Sequence, residues 1–385
     1  MVDLAELNEQ FRSTFGRTPK VAVRAPGRVN LIGEHTDYNE GFVLPAALDL
    51  ATYVAAAPRR DRTIRVHSSI ADSPVAFDLD DAAPKPRRDW SDYVRGVCTV
   101  LERPGRHLSG ADLLIASDLP PGAGLSSSAA LEVAAAYALL AIGEIRMDLN
   151  ELALACQSAE NEFVGARCGI MDQLVACHGE ENCCLLIDCR NLDRQSVPLD
   201  PRFRLVICNT TVRHRIAAGE YNVRRQECEE GVRRLAKALP GIVALRDVTP
   251  EELDRHADML TPLLYRRCRH VVTENERTLR AADALRAGNL DLIGDLMRES
   301  QASMRDDFET SCPEIDIMVG LNEAAGGAIG ARMTGGGFGG STISLVAFDA
   351  VDAFREEVAA GYRAATGLEA QIFACSAGPG VRAIG

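Results

Sequence analysis

The chain has 385 residues, of which 46% are hydrophobic and 25% charged, and its 42 basic and 55 acidic side chains give a formal net charge of −13. This composition excludes a disordered or collagen-like chain, and the acidic balance argues against a nucleic-acid partner, since phosphate backbones are bound by positive surfaces. At about 100 to 200 residues per domain, the length suggests two domains.

The sequence contains no segment typical of secretion or membrane insertion. Residues 1–16 lack the basic start and apolar run of a signal peptide. The least polar long stretch, residues 129–142, is shorter than the roughly 20 apolar residues of a membrane helix and contains Glu132, so we expect a buried helix there. The 12 cysteines are dispersed, and their densest group lacks the C-x-x-C spacing of a zinc site. Core packing is favoured over a metal role, and a reducing cytoplasm is expected.

The first half of the chain is expected to form a sheet followed by helices. Alternation of apolar and polar residues predicts a strand at 20–24, and further strands are predicted at 52–57, 63–67 and 113–115. Residues 80–89 are rich in proline and charge and are interpreted as an exposed loop. Helix-forming residues predict helices at 126–140, 151–164 and 170–177.

The second half is expected to be mostly helical. Its predicted elements are a strand at 203–209, helices at 217–239, 263–287 and 290–305, an apparent helix before a glycine-rich segment, a strand at 342–348, a helix at 351–365 and a strand at 369–374. A composition shift near residue 200 places a domain boundary there, giving domains 1–200 and 201–385. A cleft between two such lobes is a favoured ligand site.

A glycine and serine loop, P-P-G-A-G-L-S-S-S-A at residues 120–129, lies between a predicted strand and a predicted helix. Glycines let the backbone approach a ligand closely, and the amides at a helix N-terminus attract anions. Serine hydroxyls can bind phosphate oxygens or Mg²⁺. The alternative is a tight turn with serine caps, and the segment is not a Walker A motif.

A second glycine loop, R-M-T-G-G-G-F-G-G-S, occupies residues 332–341. It contains G-x-G-x-x-G, but a dinucleotide fingerprint follows a strand and opens a helix, whereas here the order is reversed. The alternatives are a flexible connector and a loop shaped for close approach. Two glycine loops in opposite halves would suit a nucleotide held across a cleft.

Two further segments carry polar groups at high density. The first segment follows a predicted strand and has the sequence G-R-V-N-L-I-G-E-H-T-D-Y-N at residues 27–39. Its many hydrogen-bonding groups suit recognition of a polyhydroxylated ligand. A solvated loop is the alternative, and a zinc site is a weaker option. C-G-I-M-D-Q at residues 168–173 places Asp172 in the first turn of a helix, where the dipole favours a carboxylate. An ordinary acidic helix start is the alternative.

These segments together resemble the galactokinases, members of the galactose, homoserine, mevalonate and phosphomevalonate kinase superfamily. The segments at 27–39 and 168–173 resemble galactokinase motifs, and the two glycine loops resemble superfamily motifs. The resemblance implies an α+β, two-lobed fold, with a ribosomal-protein-S5-like N-terminal domain, a ferredoxin-like C-terminal domain and an active site in the cleft between them.

The resemblance also implies roles for individual residues. Asp172 is similar to the catalytic base and Arg28 to its partner. Ser128 and Glu160 resemble the protein ligands of Mg²⁺. The residues similar to those that bind the sugar are Glu34, His35, Thr36, Asp37, Gly169 and Tyr221. The residues similar to those around the nucleotide are Trp90, Tyr93, Gly122, Ala123, Gly124, Leu125, Ser126, Ser127, Ser128, Gly335, Gly336 and Gly337. For Trp90 and Tyr93 the alternative is core packing.

The sequence departs from the family pattern at two positions, since Ala123 and Arg167 stand where many galactokinases have glycine and proline. Neither change removes a group that the chemistry needs. The basic residues that flank Tyr221, at 213–215 and 224–225, are interpreted as solvated helix faces.

The implied activity is transfer of the γ-phosphoryl group of Mg-ATP to the C1 hydroxyl of α-D-galactose, a reaction of galactose catabolism. The enzyme is expected to be a cytoplasmic monomer. No nucleic-acid or membrane partner is expected. One alternative is a related kinase of N-acetylgalactosamine or another aldose. A non-catalytic galactose sensor is the alternative from another class, although sensors lack residues after the serine run that are present here.

Overall fold

The structure is a computed structural model, which describes residues 2–69, 71–103, 105–213 and 217–384. The strands in these ranges form three separate sheets. In those ranges the strands are β1 Val21–Asn30, β2 Phe42–Val43, β3 Pro45–Pro58, β4 Thr63–Ser68, β5 Ala71–Asp78, β6 Ala111–Ser117, β7 Cys183–Asp188, β8 Arg194–Pro198, β9 Phe203–Arg213, β10 Ala328–Thr334, β11 Gly339–Ala347, β12 Gln371–Cys375 and β13 Arg382–Ile384.

Helices cover these sheets and make up most of the segment between β9 and β10. Over the same described ranges the α-helices are α1 Leu4–Phe15, α2 Ser91–Glu102, α3 Ser127–Ile142, α4 Leu149–Ser158, α5 Met171–His178, α6 Ala217–Leu235, α7 Pro250–Arg255, α8 Pro262–Ala287, α9 Leu290–Asp306, α10 Pro313–Ala324 and α11 Val351–Thr366. Short 3₁₀ turns and a π-helix, Ala159–Val164, complete the elements.

The largest sheet of the described residues has six strands in the order β13-β1-β3-β6-β4-β5. Its face toward α3 is apolar, because the alternating residues Ile64, Val66, Leu113 and Ile115 all join the main core with that helix. The opposite face packs against α1 through Leu114 and its neighbours. α3 is buried along most of its length, as its apolar sequence predicted.

The second sheet has the order β10-β11-β9-β12 and is antiparallel throughout the described residues. α10 and α11 cover one face of it, where Phe354 and Tyr362 are fully buried. A smaller sheet, β2-β7-β8, contacts β3 of the first half and α8 of the second half. After β12 the chain returns to the first sheet, because β13 pairs with β1. The predicted α+β class is confirmed.

The structure corrects the prediction of a helix directly before the second glycine loop. That segment is strand β10, and the loop joins β10 to β11 as an antiparallel hairpin. Glycine and alanine dominate residues 324–331, and such small residues carry a weak periodic signal, so the helical pattern of α10 was extended too far. The predicted helix at 151–164 is α4 continued by the π-helix.

All 12 cysteines are free thiols. Among the helices that the structure describes, none combines the length and apolar character that crossing a membrane requires.

Candidate active site

A cavity of about 450 Å³ lies where the segment at 27–39, α5 and the second glycine loop meet. This volume is within the usual range for small-molecule sites. The cavity brings together many of the residues that sequence reasoning assigned to the site. Those among its lining residues are Arg28, Glu34, His35, Asp37, Gly169, Asp172, Tyr221, Gly335 and Gly336.

Arg28 and Asp172 form a bidentate ion pair at this cavity. Arg28 Nε donates to Asp172 Oδ1 at 2.8 Å, and Nη2 donates to Oδ2 at 2.9 Å. A β-bulge between Pro26 and Arg28 in β1 directs the arginine, and Asp172 stands in the first turn of α5. The Asp172 side chain remains 23% exposed, so the paired carboxylate is still accessible from the cavity.

The first glycine loop is bound to this ion pair. Arg28 donates from Nη1 to the carbonyl of Gly124 at 2.7 Å, and the Ser126 hydroxyl donates to Asp172. Ser126 has a left-handed backbone, with φ of 55°, and its side chain does not cap α3 within the described residues. The first amides of α3 therefore remain available to an anion, as expected of a phosphate-binding helix N-terminus.

The two glycine loops contact each other. A Cβ on Gly335 would lie 3.5 Å from the carbonyl oxygen of Gly124. The Ser341 hydroxyl donates to the carbonyl of Ala123 at 2.6 Å. Gly335 has φ of 86°, a left-handed conformation that favours glycine.

Glu34 joins the segment at 27–39 to the second glycine loop. Its Oε1 accepts from the backbone amide of Gly335 at 2.7 Å and from the Thr334 hydroxyl at 3.2 Å. Its Oε2 pairs with the fully buried Arg332 at 3.3 Å. Burial raises the pKa of Glu34, and the charge of Arg332 opposes that rise. Glu34 therefore has a supporting role in the loop as well as its place in the cavity wall.

Asp37 and Gly169 are packed directly against each other. A Cβ on residue 169 would lie 1.9 Å from Asp37 Oδ2, so this position accepts only glycine without displacing the carboxylate. Burial raises the pKa of Asp37 to about 6, and the nearby charge of Asp172 contributes to the rise. Asp37 therefore changes its charge close to neutral pH.

His35 belongs to an aromatic cluster on one wall of the cavity. Its ring lies 5.4 Å from Tyr221 and 4.7 Å from Phe308, and its Nδ1 is 2.9 Å from the Tyr38 hydroxyl. Burial lowers the pKa of His35 to about 3, with the neighbouring His270 contributing, so the imidazole is neutral. Its Nε2 is buried and has no hydrogen-bond partner among the described residues.

Glu160 lies in the π-helix and belongs to a buried acidic cluster, which also contains Glu132. The Ser128 hydroxyl contacts the Glu160 carboxyl. Gln173 Nε2 donates to Glu160 at 2.7 Å and to Glu132 at 3.3 Å. Burial raises the pKa of both carboxyls, and the charge of Asp172 adds to the effect on Glu160. A cation would compensate this negative charge.

The cluster fits a Mg²⁺ ion that arrives with a nucleotide. No group of three or more histidine, cysteine or acidic side chains that could hold a metal occurs in the described ranges. Ser128 and Glu160 alone would leave the remaining positions to phosphate oxygens and water, which is how Mg²⁺ is usually bound in kinases.

Some residues assigned from the sequence lie outside the cavity wall. Thr36 is fully buried, and its hydroxyl donates to the carbonyls of Gly33 and Phe42, which shapes the loop. Trp90 packs against the main core at the start of α2. Tyr93 lies near Glu160 and Glu132, and burial together with these charges raises its pKa to about 12.

The rest of the assigned nucleotide residues belong to the two loops. Gly122, Ala123, Gly124, Leu125 and Ser126 precede α3, and Ser127 and Ser128 form its first turn. Gly337 packs against Thr310, where a Cβ would lie 2.6 Å from the carbonyl oxygen.

Sequence reasoning missed several residues of the site. Cys168, Met171 and Asn222 line the cavity. Gln173 and Glu132 support Glu160, and a signal for Glu132 was present, because it is a carboxylate in an otherwise apolar helix.

The interpretation of the basic residues near Tyr221 as solvated is wrong for Arg224. Its guanidinium is buried and donates to the carbonyls of Phe308 and Glu309. Arg225 stacks over Tyr38. His214 and Arg215 lie outside the described residues.

Three family models match segments of the chain. The sequence model of the galactokinase galactose-binding signature matches residues 9–58. The models of the GHMP kinases N terminal domain and of the GHMP kinases C terminal domain match residues 92–180 and 281–364.

Known proteins resemble the chain over nearly its whole length. The galactokinase of Roseiflexus sp. is 50% identical over 381 residues, which cover 99% of this chain and 97% of that protein. The galactokinase of Chloroflexus aurantiacus is 52% identical over 384 residues, covering 100% and 98%. The crystal structure of Lactococcus lactis galactokinase complexed with galactose superimposes with a TM-score of 0.95, at 36% identity and with 98% and 99% of the two chains covered. Methanococcus jannaschii mevalonate kinase shares the fold, with a TM-score of 0.64, 17% identity and coverage of 93% and 98%. The chain therefore belongs to the galactokinases, within the GHMP kinase superfamily.

Proposed function

We propose that the chain is an ATP-dependent galactokinase, which transfers the γ-phosphoryl group of ATP to the C1 hydroxyl of α-D-galactose and releases galactose 1-phosphate and ADP. The observation that carries this function is the Arg28 and Asp172 ion pair, which lies in one cavity with the galactose-binding signature and the second glycine loop and is hydrogen-bonded to the first glycine loop. Galactokinases of about 50% identity over the full length support the same activity.

The sugar is placed in the cavity beside Asp37, His35 and Tyr221. A carboxylate accepts hydrogen bonds from sugar hydroxyls, and the neutral imidazole of His35 lines the same cavity. The aromatic wall excludes water from one side of the sugar. Gly169 allows the Asp37 carboxylate to occupy its position, and Glu34 and Thr36 hold the loop that carries these groups.

The nucleotide phosphates are placed at the N-terminus of α3, against the two glycine loops. Backbone amides and the serine hydroxyls are the donors there. Ser128 and Glu160 would hold a Mg²⁺ ion, which would supply positive charge to the phosphates. Trp90 and Tyr93 are proposed to lie near the adenine.

Asp172 is proposed as the base that receives the proton of the C1 hydroxyl. Arg28 holds the carboxylate with two charge-assisted hydrogen bonds, which fix its orientation. Phosphoryl transfer depends mainly on alignment and charge stabilisation, so a fixed acceptor for the proton is what this pair contributes.

A coupled assay of ADP release tests the function. With Mg-ATP, we expect turnover with galactose and much slower release with N-acetylgalactosamine or with no sugar. Equal or faster turnover with N-acetylgalactosamine would assign the chain to the related kinase, and ligand binding without ADP release would assign it to the sensors.

We further propose that the enzyme is a cytoplasmic monomer composed of domains 1–200 and 201–385. The 12 free thiols support a reducing compartment.

A further inference from the structure

An arginine-rich groove lies on the α1 face of the first sheet, in a part of the molecule that the proposed chemistry does not use. It has a volume of about 460 Å³, and we call it the arginine groove. Its lining residues are Phe15, Arg17, Arg59, Arg60, Asp61, Arg65 and Asp112. Most of its arginines come from the sequence P-R-R-D-R-T-I-R at residues 58–65, which runs from the end of β3 into β4.

A buried carboxylate organises the groove. The Asp112 side chain is only 1% exposed, and the guanidinium groups of Arg17, Arg59 and Arg65 all contact it. Burial opposes ionisation, but these arginines lower the pKa of Asp112 below its ordinary value. Asp112 therefore stays charged and gathers several cations around itself.

Arg17 and Arg59 have little remaining capacity for a ligand. Arg17 also donates to the carbonyls of Pro58 and Ala57, and Arg59 also forms a two-pronged pair with Asp61. These two arginines are part of the framework of the groove.

Arg60 and Arg65, by contrast, have unused donors. Arg65 contacts Asp112 through Nε at 2.6 Å, and its guanidinium lies over the Phe15 ring, 5.4 Å from the ring centroid. Both Nη groups of Arg65 have no partner in the described ranges. Arg60 is exposed and has no ion pair or hydrogen bond among the residues that the structure describes. The groove thus presents two guanidinium groups with open donors.

The charge of the groove contrasts with that of the protein. Among its described lining residues, four arginines face two carboxylates, a local balance of 4 − 2 = +2 on a chain with a net charge of −13. Guanidinium donors bind phosphate oxygens in bidentate geometry, and a dianion would balance the excess charge.

The groove is separate from the active site. Asp112 and Arg65 point to the sheet face that packs against α1, because their neighbours Leu113, Ile64 and Val66 belong to the core on the other face. α3, which begins at the phosphate loop, packs on that other face. An anion in the groove would therefore be divided from the nucleotide by the sheet.

We propose that the arginine groove is a second anion site, which binds inorganic phosphate or a phosphate monoester through Arg60 and Arg65. The two sources share one chemistry, a dianionic phosphoryl group, and the product galactose 1-phosphate is the monoester that the proposed reaction would supply. Binding in the groove is measured as ligand affinity and does not depend on turnover, so the site can be tested even if the proposed function fails.

Isothermal titration calorimetry in a low-chloride buffer tests the site, first with inorganic phosphate and then with galactose 1-phosphate, each with saturating ADP and galactose present to occupy the phosphate loop and the sugar cavity. We expect the wild-type protein to bind at least one of the two probes, Arg60→Gln to bind at least threefold more weakly, and Arg60→Gln/Arg65→Gln to show no binding. Preference for one probe identifies the source.

A matched control carries Arg298→Gln and Arg363→Gln, which remove two exposed arginines from other helices and change the net charge equally. This control should bind like the wild-type protein. Because Arg60 has no partner among the described residues, its replacement is not expected to disturb folding. The proposal is overturned if the wild-type protein binds neither probe, or if the Arg60 variant and the double variant bind as tightly as the control.

Discussion

Arg28 and Asp172 are 144 positions apart in the sequence, yet the arginine holds both oxygens of the carboxylate, with Nε to Oδ1 at 2.8 Å and Nη2 to Oδ2 at 2.9 Å. The same guanidinium also binds the carbonyl of Gly124, so one side chain aligns the proposed base with the phosphate loop. Donor and acceptor sites are therefore positioned relative to each other before a ligand binds, which is the main requirement of phosphoryl transfer.

Replacement of Asp172 by asparagine should remove most turnover and leave galactose binding largely intact. The amide keeps the size of the side chain but cannot accept the proton, and loss of a positioned base typically costs about 10²- to 10⁴-fold in rate. The value of kcat from ADP release and the galactose affinity from calorimetry measure the two effects. Asp295→Asn, on the exposed face of α9, is the control. Turnover near the wild-type rate would refute the assignment of the base.

Replacement of Gly169 by alanine should weaken galactose binding. The added Cβ would lie 1.9 Å from Asp37 Oδ2, so the carboxylate has to leave its position in the cavity. A lost hydrogen bond to a charged group costs about 1.5 to 3 kcal/mol, which corresponds to roughly 10- to 100-fold in the KM for galactose. The KM for ATP should change much less. Gly320→Ala, in a helix where the Cβ meets nothing within 4 Å, is the matched control, and equal KM values in the two variants would count against this contact.

Galactose binding should weaken as the pH falls through 6. The pKa of Asp37 is raised to about 6, so the group is ionised above that pH and neutral below it. A neutral carboxyl is a poorer acceptor for sugar hydroxyls, and kcat/KM for galactose, which reports the free enzyme, should fall with an apparent pKa near 6. In Asp37→Asn this transition should be absent, while kcat/KM is low at every pH. An unchanged transition in that variant would assign the pH dependence to another group.

Replacement of Gln173 by leucine should increase the Mg²⁺ concentration that the enzyme requires. Gln173 donates to Glu160 at 2.7 Å and is itself fully buried, so it holds the carboxylate that is proposed to meet the metal. Leucine fills a similar volume without the donor, and loss of such support typically costs 10- to 100-fold in metal affinity. We expect kcat at saturating Mg²⁺ to recover toward the wild-type value. An unaltered Mg²⁺ dependence would show that Gln173 does not position Glu160.

Hydrophobic periodicity and glycine content predicted those parts of the fold that short stretches of sequence determine. The strand, glycine loop and helix at residues 111–142 follow from periodicity and glycine content. The strand β10 was mistaken for a helix because its glycines and alanines have little periodicity, and its state is decided by pairing with β11. The meeting of Arg28 with Asp172 depends on tertiary packing, so spacing could not predict it, and only the resemblance to galactokinases suggested it. Gln173 belongs to the C-G-I-M-D-Q motif, but its contact with Glu160 depends on how α5 meets the π-helix.

Replacement of Glu34 by alanine should destabilise the protein and impair ATP binding together. The substitution leaves Arg332, which is fully buried, without its charge partner, and breaking a buried ion pair costs about 3 to 5 kcal/mol. It also removes the acceptor for the Gly335 amide, so the second glycine loop loses its link to the galactose-binding signature. The double variant Glu34→Ala/Arg332→Met should regain part of the stability, because no unpaired charge remains buried, but its KM for ATP should stay raised. Urea unfolding and KM measurements separate the two effects. If the single and double variants were equally unstable, the unpaired buried charge would not be the source of the lost stability. If the KM for ATP were normal in both variants, the contact with Gly335 would have no part in nucleotide binding.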